Sequence, residues 1–419
     1  MTFNVVTMKF LHYNLLLTVL ISALFLLSGC RDELVDDSFD NKEPEVSTSM
    51  EAPCINGMAA GFPCNNYDLI SRISLKVFDA ESASDVWGWT DPDTQNEYAL
   101  IGLDNGTGFV DISTPSKPLY LGKLPTATIN SSWRDIKIYS HYAYIVSDRA
   151  QNYGMQIFDL TKLKTVENPP VLFEVDVHHT SFGSAHNLVI NETKGYVYPV
   201  GTSQYNGGPH FINIQNPLNP VDEGGFAASG YSHDGQVVTY NGPDEEHTGK
   251  ELFVGSNEDK IAVVDITDKA NPELISSVSY PNYGYTHQAW FGKNHRYLYV
   301  GDELDERDSG YKTRTLVFDL LDLGNPSLHM EYLGPTSAID HNGYVHEDTF
   351  YLANYTSGVR MIDVSDIAAK NMTEIGYFDT YPANDDVGFN GVWSVYPYFE
   401  SGNIVVSDIN SCLYIIKKK

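Results

Sequence analysis

The sequence has 419 residues, with 42% hydrophobic and 12% aromatic side chains, which is a globular composition rich in strand-forming residues. This length accommodates two or three average domains or one large repeat fold. Acidic residues outnumber basic residues 55 to 26, and the formal net charge is −29. Because nucleic-acid binding requires a basic surface, this charge argues against a nucleic-acid partner.

The N-terminal segment has the features of an export signal. A basic stretch opens at residues 8–9, and residues 15–27 form an apolar run that is too short to span a bilayer comfortably. The run leads into "LLSGC", which resembles a bacterial lipobox whose cysteine, here Cys30, is lipidated after cleavage. We expect a lipoprotein signal peptide at residues 1–29; the alternative is an ordinary signal peptide with a coincidental cysteine.

An acidic segment follows this cysteine. Residues 30–52 are polar and rich in aspartate and glutamate, which predicts a flexible tether. Acidic residues directly after a lipidated cysteine also resemble the surface-export signal of some outer-membrane lipoproteins. The prediction is therefore an outer-membrane lipoprotein of the cell envelope, on its periplasmic or external face, with the membrane as a partner through the lipid.

Three cysteines remain beyond the tether. Cys54 and Cys64 flank a loop of nine residues that contains glycine. In an exported and oxidising setting, this spacing predicts a disulfide at the start of the folded body. Cys412 lies in a strand-like run, and we expect it to be a buried free thiol.

Short strand-like runs recur along residues 53–419. One repeat reads "LFVGSNED" (252–259), then "IAVVDIT" (261–267), then a turn and "PELISSVSY" (272–280). Seven such units follow one another, each about 40–50 residues long with four alternating strands, which is typical of a β-propeller. The predicted fold class is all-β: a monomeric seven-bladed propeller of four-stranded antiparallel blades.

The two ends of the repeat region are predicted to close the ring. The last unit ends at "CLYIIKKK" (412–419) without a fourth strand, and an open sheet edge invites aggregation. Upstream of the first unit, "DLISRISL" (68–75) matches "ELISSVSY" (273–280). We expect residues 68–75 to supply the outer strand of the seventh blade.

Several longer stretches resemble a known family. They include "CINGMAAGFPCNNYDL", "GSAHNLVINE", "SNEDKIAVVDITDKANP" and "YFDTYPANDDVGFNGVWSVYP". The third-strand pattern resembles the LVIVD repeat, and the chain from Cys54 onward is similar to the choice-of-anchor B family of exported β-propeller proteins. This resemblance implies export, a propeller fold and attachment to the cell exterior, here by the lipid at Cys30. It implies no reaction, so no catalytic residue is carried over.

A polar pair recurs at the start of the predicted innermost strands, and four of the pairs contain histidine. Because every blade presents this position to one axis, the pairs should converge at the mouth of the central channel. In the first blade the aligned residues are Val86 and Trp87, and in the last blade they are Asn390 and Gly391. The candidate ligand-binding residues are Arg134, Asp135, His186, Asn187, His233, Asp234, His287, Gln288, His341, Asn342 and Asn390.

Three roles remain open for these pairs. They can be structural, since buried strand starts need polar partners for the backbone of the next blade. The candidate metal ligands His186, His233, His287 and His341 can bind a transition metal as neutral imidazoles. Protonated histidines together with an arginine would instead attract a small anionic or polar ligand.

A second candidate metal site lies in the acidic loop "GDELDERDSG" (301–310). Asp302, Asp305 and Asp308 are candidate ligands, because oxygen-rich loops suit Ca²⁺. The spacing does not match an EF-hand, and the alternative is a solvated acidic turn. The cofactor is thus unknown, with calcium or a transition metal as candidates.

Tryptophans recur near the blade starts, where they either pack between blades or form a rim that stacks on sugars: Trp87, Trp89, Trp133, Trp290 and Trp393. The sequence contains no nucleophile elbow, zincin motif or Walker loop. The leading hypothesis is a binding or interaction module for an envelope protein or a small ligand. The alternative is an exported metal-assisted hydrolase or lyase that uses the histidines and aspartates of the channel mouth.

Overall fold

The computed structural model of this protein describes residues 51–419. The predicted signal peptide, the predicted lipidation site Cys30 and the predicted tether up to residue 50 lie outside the described residues. Within the described part of the chain, no helix is long and apolar enough to cross a membrane.

The described residues are almost entirely β-structure. The first twelve strands are β1 Met58–Ala59, β2 Phe62–Asn65, β3 Tyr67–Ser74, β4 Ala83–Thr90, β5 Glu97–Leu103, β6 Gly106–Asp111, β7 Leu119–Pro125, β8 Arg134–Tyr139, β9 Tyr142–Ser147, β10 Met155–Asp159, β11 Val171–Leu172 and β12 Val177–His179. The next twelve are β13 Asn187–Asn191, β14 Tyr196–Val200, β15 His210–Asn213, β16 Val221–Gly225, β17 Asp234–Thr239, β18 Glu251–Ser256, β19 Ile261–Asp265, β20 Glu273–Val278, β21 Thr286–Phe291, β22 Tyr297–Asp302, β23 Arg314–Asp319 and β24 Ser327–Leu333.

The remaining strands are β25 Gly343–His346, β26 Thr349–Ala353, β27 Val359–Asp363, β28 Thr373–Phe378, β29 Val392–Tyr396, β30 Asn403–Asp408 and β31 Cys412–Lys418. The described residues include one short α-helix, α1 Asp305–Ser309. They also include short 3₁₀-helices at Leu160–Thr165, Tyr205–Gly207, Glu245–His247 and Ile367–Ala369.

These strands form seven antiparallel four-stranded blades, as the repeat predicted. Each blade begins with its innermost strand, and these strands are β4, β8, β13, β17, β21, β25 and β29. Each innermost strand contacts the next one around the ring, and β29 contacts β4. Two blades are extended at their outer edges: β11 runs parallel to β7, while β2 and β1 follow β28.

The ring closes through β3, as predicted. This strand pairs antiparallel with β31, so that Leu69 lies opposite Ile416 and Ile73 lies opposite Leu413. All four side chains are buried. Residues from the beginning and the end of the propeller therefore form one blade, and β3 covers the edge of β31 that would otherwise be open.

The predicted disulfide between Cys54 and Cys64 is present, with the two Cα atoms 6.0 Å apart. Cys64 lies in β2 opposite Phe378 of β28, so the bridge fastens the start of the body to the sixth blade. Cys412 is a buried free thiol, and burial raises its pKa. Both expectations for the cysteines of the folded body are confirmed.

Candidate functional site

The polar pairs lie at the start of the innermost strands, where their first members form hydrogen bonds between blades. Nδ1 of His233 lies 3.2 Å from the carbonyl oxygen of His287, and Nδ1 of His341 lies 2.6 Å from that of Trp393. Since a carbonyl only accepts, each Nδ1 carries the proton and donates it. The Nε2 atoms of these two rings are consequently the unprotonated nitrogens when the rings are neutral.

The second members of the pairs accept hydrogen bonds from the next blade. The Asp135 carboxylate lies 2.6 Å from the backbone nitrogen of Leu188, and the Gln288 side chain accepts from the backbone of Gly343. Asn187 instead donates to the carbonyl oxygen of His233, at 3.1 Å. These contacts are the inter-blade bonds that a structural role of the pairs requires.

The same contacts correct the alignment of the first blade. Ser84 Oγ donates to the carbonyl oxygen of Arg134, at 3.1 Å, and Asp85 accepts from the backbone of Ile136. The first pair is therefore Ser84 and Asp85, and the expected pair at residues 86–87 was two positions too late. The reason is an irregular register in β4 between Ala83 and Val86. No residue type in this segment indicates such an irregularity.

The alignment of the last blade was also wrong. His341 donates to Trp393, so Trp393 and Ser394 occupy the paired positions, whereas Asn390 is exposed and precedes β29. The bulge between Val392 and Ser394 repeats the one between Thr286 and Gln288 in the fifth blade. Aligning the apolar runs that follow each pair, rather than the pairs themselves, would have found this register.

The four predicted histidines do converge. Successive ring centroids are 4.0 Å apart for His186 and His233, 4.3 Å for His233 and His287, and 4.3 Å for His287 and His341. The Trp393 ring continues this histidine arc, 4.7 Å from His341. Asn342 borders the same narrow gap, which has a volume of about 10 Å³.

Arg134 borders the gap as well, but its guanidinium is committed to the protein. Nε donates to the carbonyl oxygen of Leu103, Nη1 to the hydroxyl of Tyr153, and Nη2 to the hydroxyl of Thr126. Every nitrogen of the group already has a protein partner. The expected contribution of Arg134 to an anion site therefore has little geometric support.

The aspartates of the pairs lie deeper in the channel. Lys137 Nζ lies 2.6 Å from the Asp135 carboxylate and 3.4 Å from that of Asp85. Burial raises the pKa of Asp85 well above its usual range. At Asp135 burial also acts to raise the pKa, but the Lys137 charge and several hydrogen bonds together outweigh it, so this pKa is lowered. Burial also raises the pKa of Asp234 to about 6. We call Asp85, Asp135, Lys137 and Asp234 the buried polar belt.

Glu303, directly after β22, completes the histidine arc. Its carboxylate oxygens lie 3.7 Å from Nε2 of His287 and 3.9 Å from Nε2 of His341, and the Tyr355 hydroxyl donates to it at 2.8 Å. The ligand atoms of His287, Glu303 and His341 lie within 4.8 Å of one another. Within residues 51–419, this is the one group of three such residues placed to hold a metal ion.

In the sequence, Glu303 belongs to the acidic loop, and it was not predicted to be a site residue. The available signal was position: Glu303 directly follows the second strand of the blade whose first strand begins with His287. In an antiparallel hairpin, the end of the second strand lies beside the start of the first. A carboxylate there necessarily approaches the channel mouth.

Burial sets the protonation states of this cluster. It lowers the pKa of His233 and His287 well below the usual range and lowers that of His341 to about 3, so these imidazoles are neutral at pH 7. Burial also raises the pKa of Glu303 to about 7. Neutral imidazoles can coordinate a metal, but they offer no positive charge to an anion.

The aspartates of the acidic loop have other partners. Asp302 is fully buried and accepts two backbone N–H groups of the preceding loop, and Asp305 pairs with the buried guanidinium of Arg314. Asp308 is exposed and pairs with Arg307 at 2.7 Å. The structure thus does not gather Asp302, Asp305 and Asp308 around one point or beside the histidines, because a buried arginine requires the first two as counter-charges.

Two segments of the chain match the family model of the LVIVD repeat, at residues 94–126 and 248–279. They contain β5 to β7 of the first blade and β18 to β20 of the fourth blade. The protein is a β-propeller that carries LVIVD repeats. A search of curated protein sequences finds no significant match to this LVIVD-repeat propeller.

Solved structures resemble the LVIVD-repeat propeller at low identity. The Cps50 (Swd1) β-propeller domain of Myceliophteria thermophila is 11% identical, with a TM-score of 0.52, over 84% of this chain and 100% of that one. A Lactobacillus plantarum protein is 13% identical, with a TM-score of 0.50, and the match covers 80% of this chain and 92% of that one. Hydrazine synthase of Kuenenia stuttgartiensis is 10% identical, with a TM-score of 0.50, and the match covers 75% of this chain and 91% of that one. At such identities these likenesses show the fold alone.

Proposed function

We propose that this LVIVD-repeat propeller is an exported, lipid-anchored binding module that holds a divalent transition-metal ion at its channel mouth. The observation that carries the proposal is the grouping of His287, Glu303 and His341, whose ligand atoms lie within 4.8 Å of one another. Two imidazoles and one carboxylate are a donor set that zinc and similar ions favour.

The surroundings of the three residues support this donor set. The Trp393 carbonyl holds the Nδ1 proton of His341 and so leaves Nε2 as the lone-pair nitrogen on the side of Glu303. The Tyr355 hydroxyl orients the carboxylate. Calcium is less favoured, because it requires six to eight oxygen ligands and two of the three donors here are nitrogens.

The space around the arc favours a small ligand. Outside the histidine arc, a pocket of about 200 Å³ borders His186, His233 and Glu303. Pockets for drug-sized ligands are larger, about 300–1,000 Å³. Three protein ligands leave a coordination position open, which a water or a group from an envelope partner can occupy. This small volume favours a binding module over the alternative, an exported metal-assisted hydrolase or lyase.

The proposed location rests on the sequence. The "LLSGC" motif at Cys30, the acidic tether at residues 30–52 and the similarity to choice-of-anchor B proteins all support an envelope lipoprotein. In this arrangement the lipid holds the protein at the membrane.

Calorimetric titration of the detergent-purified full chain tests the proposal. After treatment with a chelator, we expect one zinc ion to bind per chain. His341→Ala or Glu303→Gln removes a ligand and should weaken binding by at least about 10–100-fold, the loss that changes in residues orienting such ligands already cause. His141→Ala is the matched control, because His141 is a partly exposed histidine outside the arc. Absence of zinc binding, or equal losses in His341→Ala and His141→Ala, would reject the metal site.

A further inference from the structure

A second cavity lies at the opposite end of the channel. His287 stands at the start of β21, whereas Trp290 at the end of that strand borders this cavity, which has a volume of about 600 Å³. The buried polar belt separates it from the histidine arc. We call it the distal cavity, and its volume falls within the range of small-molecule sites, about 300–1,000 Å³.

One side of the distal cavity is aromatic. Trp87, Trp290, Tyr396 and Tyr398 line it, contributed by the first, fifth and seventh blades. Edge-to-face packing fixes these rings: the centroids of Trp87 and Tyr396 are 5.2 Å apart, and those of Tyr396 and Tyr398 are 5.3 Å apart. Rigid aromatic rings present a negative face to the slightly positive C–H groups of a flat apolar ligand surface.

The other side of the distal cavity carries hydrogen-bonding groups. Gln236 accepts the backbone N–H of Phe291 with its oxygen, which leaves its amide nitrogen as a donor. Nδ1 of His295 accepts from the backbone of Asn241, so Nε2 carries the proton. No hydrogen bond to the carboxylate of Glu192 is found within residues 51–419, and that group is an acceptor. Donors and acceptors therefore face one aromatic wall.

The charged groups around the cavity disfavour a cation on the Trp87 ring and an anion near Glu192. The ammonium of Lys137 lies 4.6 Å from the centroid of the Trp87 ring, so this ring already has a cation partner within the protein. Lys293 is neutralised by Asp348, at 2.6 Å. An anion would meet the carboxylate of Glu192. A neutral ligand with apolar faces and hydroxyl groups on its edge satisfies all these constraints.

We propose that the distal cavity binds a neutral carbohydrate of one or two sugar rings. The rings stack on the Trp290 side of the cavity, and the hydroxyl groups, which both donate and accept, reach Gln236, His295 and Glu192. This site is separate from the metal site and does not depend on it.

The test is a titration of the detergent-purified full chain, followed by calorimetry and tryptophan fluorescence. The probes are neutral disaccharides of glucose, galactose, mannose and N-acetylglucosamine, together with glucuronate and glucosamine as charged sugars. We expect at least one neutral disaccharide to bind, and Trp290→Ala to weaken that binding about tenfold or more. Glu192→Gln should improve glucuronate binding relative to the parent protein, because it removes the negative charge.

Two controls keep the result specific. Trp133→Ala removes a tryptophan of similar partial burial at the other end of the channel, and it should leave sugar binding unchanged. Trp290→Phe keeps an aromatic ring and should retain most of the affinity if Trp290→Ala fails to fold. Lack of binding by every neutral disaccharide, tighter binding of glucosamine than of neutral sugars, or equal losses in Trp133→Ala and Trp290→Ala would each overturn the proposal.

Discussion

The carboxylate of Glu303 lies 3.7 Å from Nε2 of His287, and burial acts on the two groups in opposite directions. It lowers the pKa of His287 well below its usual range and raises that of Glu303 to about 7. Near neutral pH the imidazole is therefore already in its metal-binding form, and the carboxylate is the group that still exchanges a proton.

The first prediction concerns the pH dependence of zinc binding. Because Glu303 must lose its proton to coordinate, we expect zinc affinity to fall by about tenfold for each pH unit below about 7. In Glu303→Gln, binding should be weak and almost independent of pH over the same range. Calorimetric titrations between about pH 6 and about pH 8 measure this. A decline that persists unchanged in Glu303→Gln would instead assign the pH dependence to the histidines.

The second prediction concerns the buried polar belt. Lys137→Met should lower the free energy of unfolding by about 3–5 kcal/mol, because it leaves Asp135 buried without its counter-charge. Lys293→Met removes an ion pair that is about half exposed, with Asp348, and should cost less than about 1 kcal/mol. Urea unfolding of both variants gives the comparison. Similar losses of unfolding free energy in the two variants would show that the buried ion pairs of Lys137 stabilise the fold no more than a surface ion pair does.

The third prediction concerns ring closure. Leu69 of β3 is fully buried, whereas Leu274, its counterpart in the matching motif of β20, is 44% exposed. We expect Leu69→Ala to cost about 2–5 kcal/mol of unfolding free energy, since it leaves a cavity in the blade that joins the two ends. Leu274→Ala should cost well below that amount. If the two substitutions are equally mild in thermal and urea unfolding, pairing of β3 with β31 does not close the ring in solution.

The fourth prediction concerns the anchor. Cys30→Ser removes the proposed lipidation site, so the variant should move from the membrane fraction to the soluble fraction of fractionated cells. Cys412→Ser is the control, because Cys412 is a buried thiol in the propeller and should leave the partition unchanged. A Cys30→Ser protein that remains wholly with the membranes would point to another anchor.

Much of the architecture was predictable from local sequence pattern. Alternating apolar residues and a regular repeat length predicted seven blades, because each blade is built from hairpins between neighbouring segments. The match between residues 68–75 and 273–280 predicted closure, because a segment that resembles the outer strand of one blade can fill the same outer position in another blade. Convergence of the four histidines followed from the repetition itself, which brings one position of every blade to one axis.

Other features of the sites arise only when the ring closes. The bulges that place Ser84 and Trp393 in line with the histidines change the register without a distinctive residue, so the polar pairs alone misaligned the first and last blades. Arg314 pairs with Asp302 and Asp305, because a buried guanidinium requires carboxylates as counter-charges. The sequence does not show which carboxylates lie beside this arginine in the fold.

The sequence by itself determined the blade count, the closure and the histidine positions, because these depend on periodicity along the chain. The tertiary structure decided which side chains meet across blades: Glu303 with His341, and Trp87 with Tyr396 in the distal cavity. Such contacts join residues about 40 to 310 positions apart, and their distances depend on how each blade packs against the next. That packing is a property of the closed ring rather than of any one repeat.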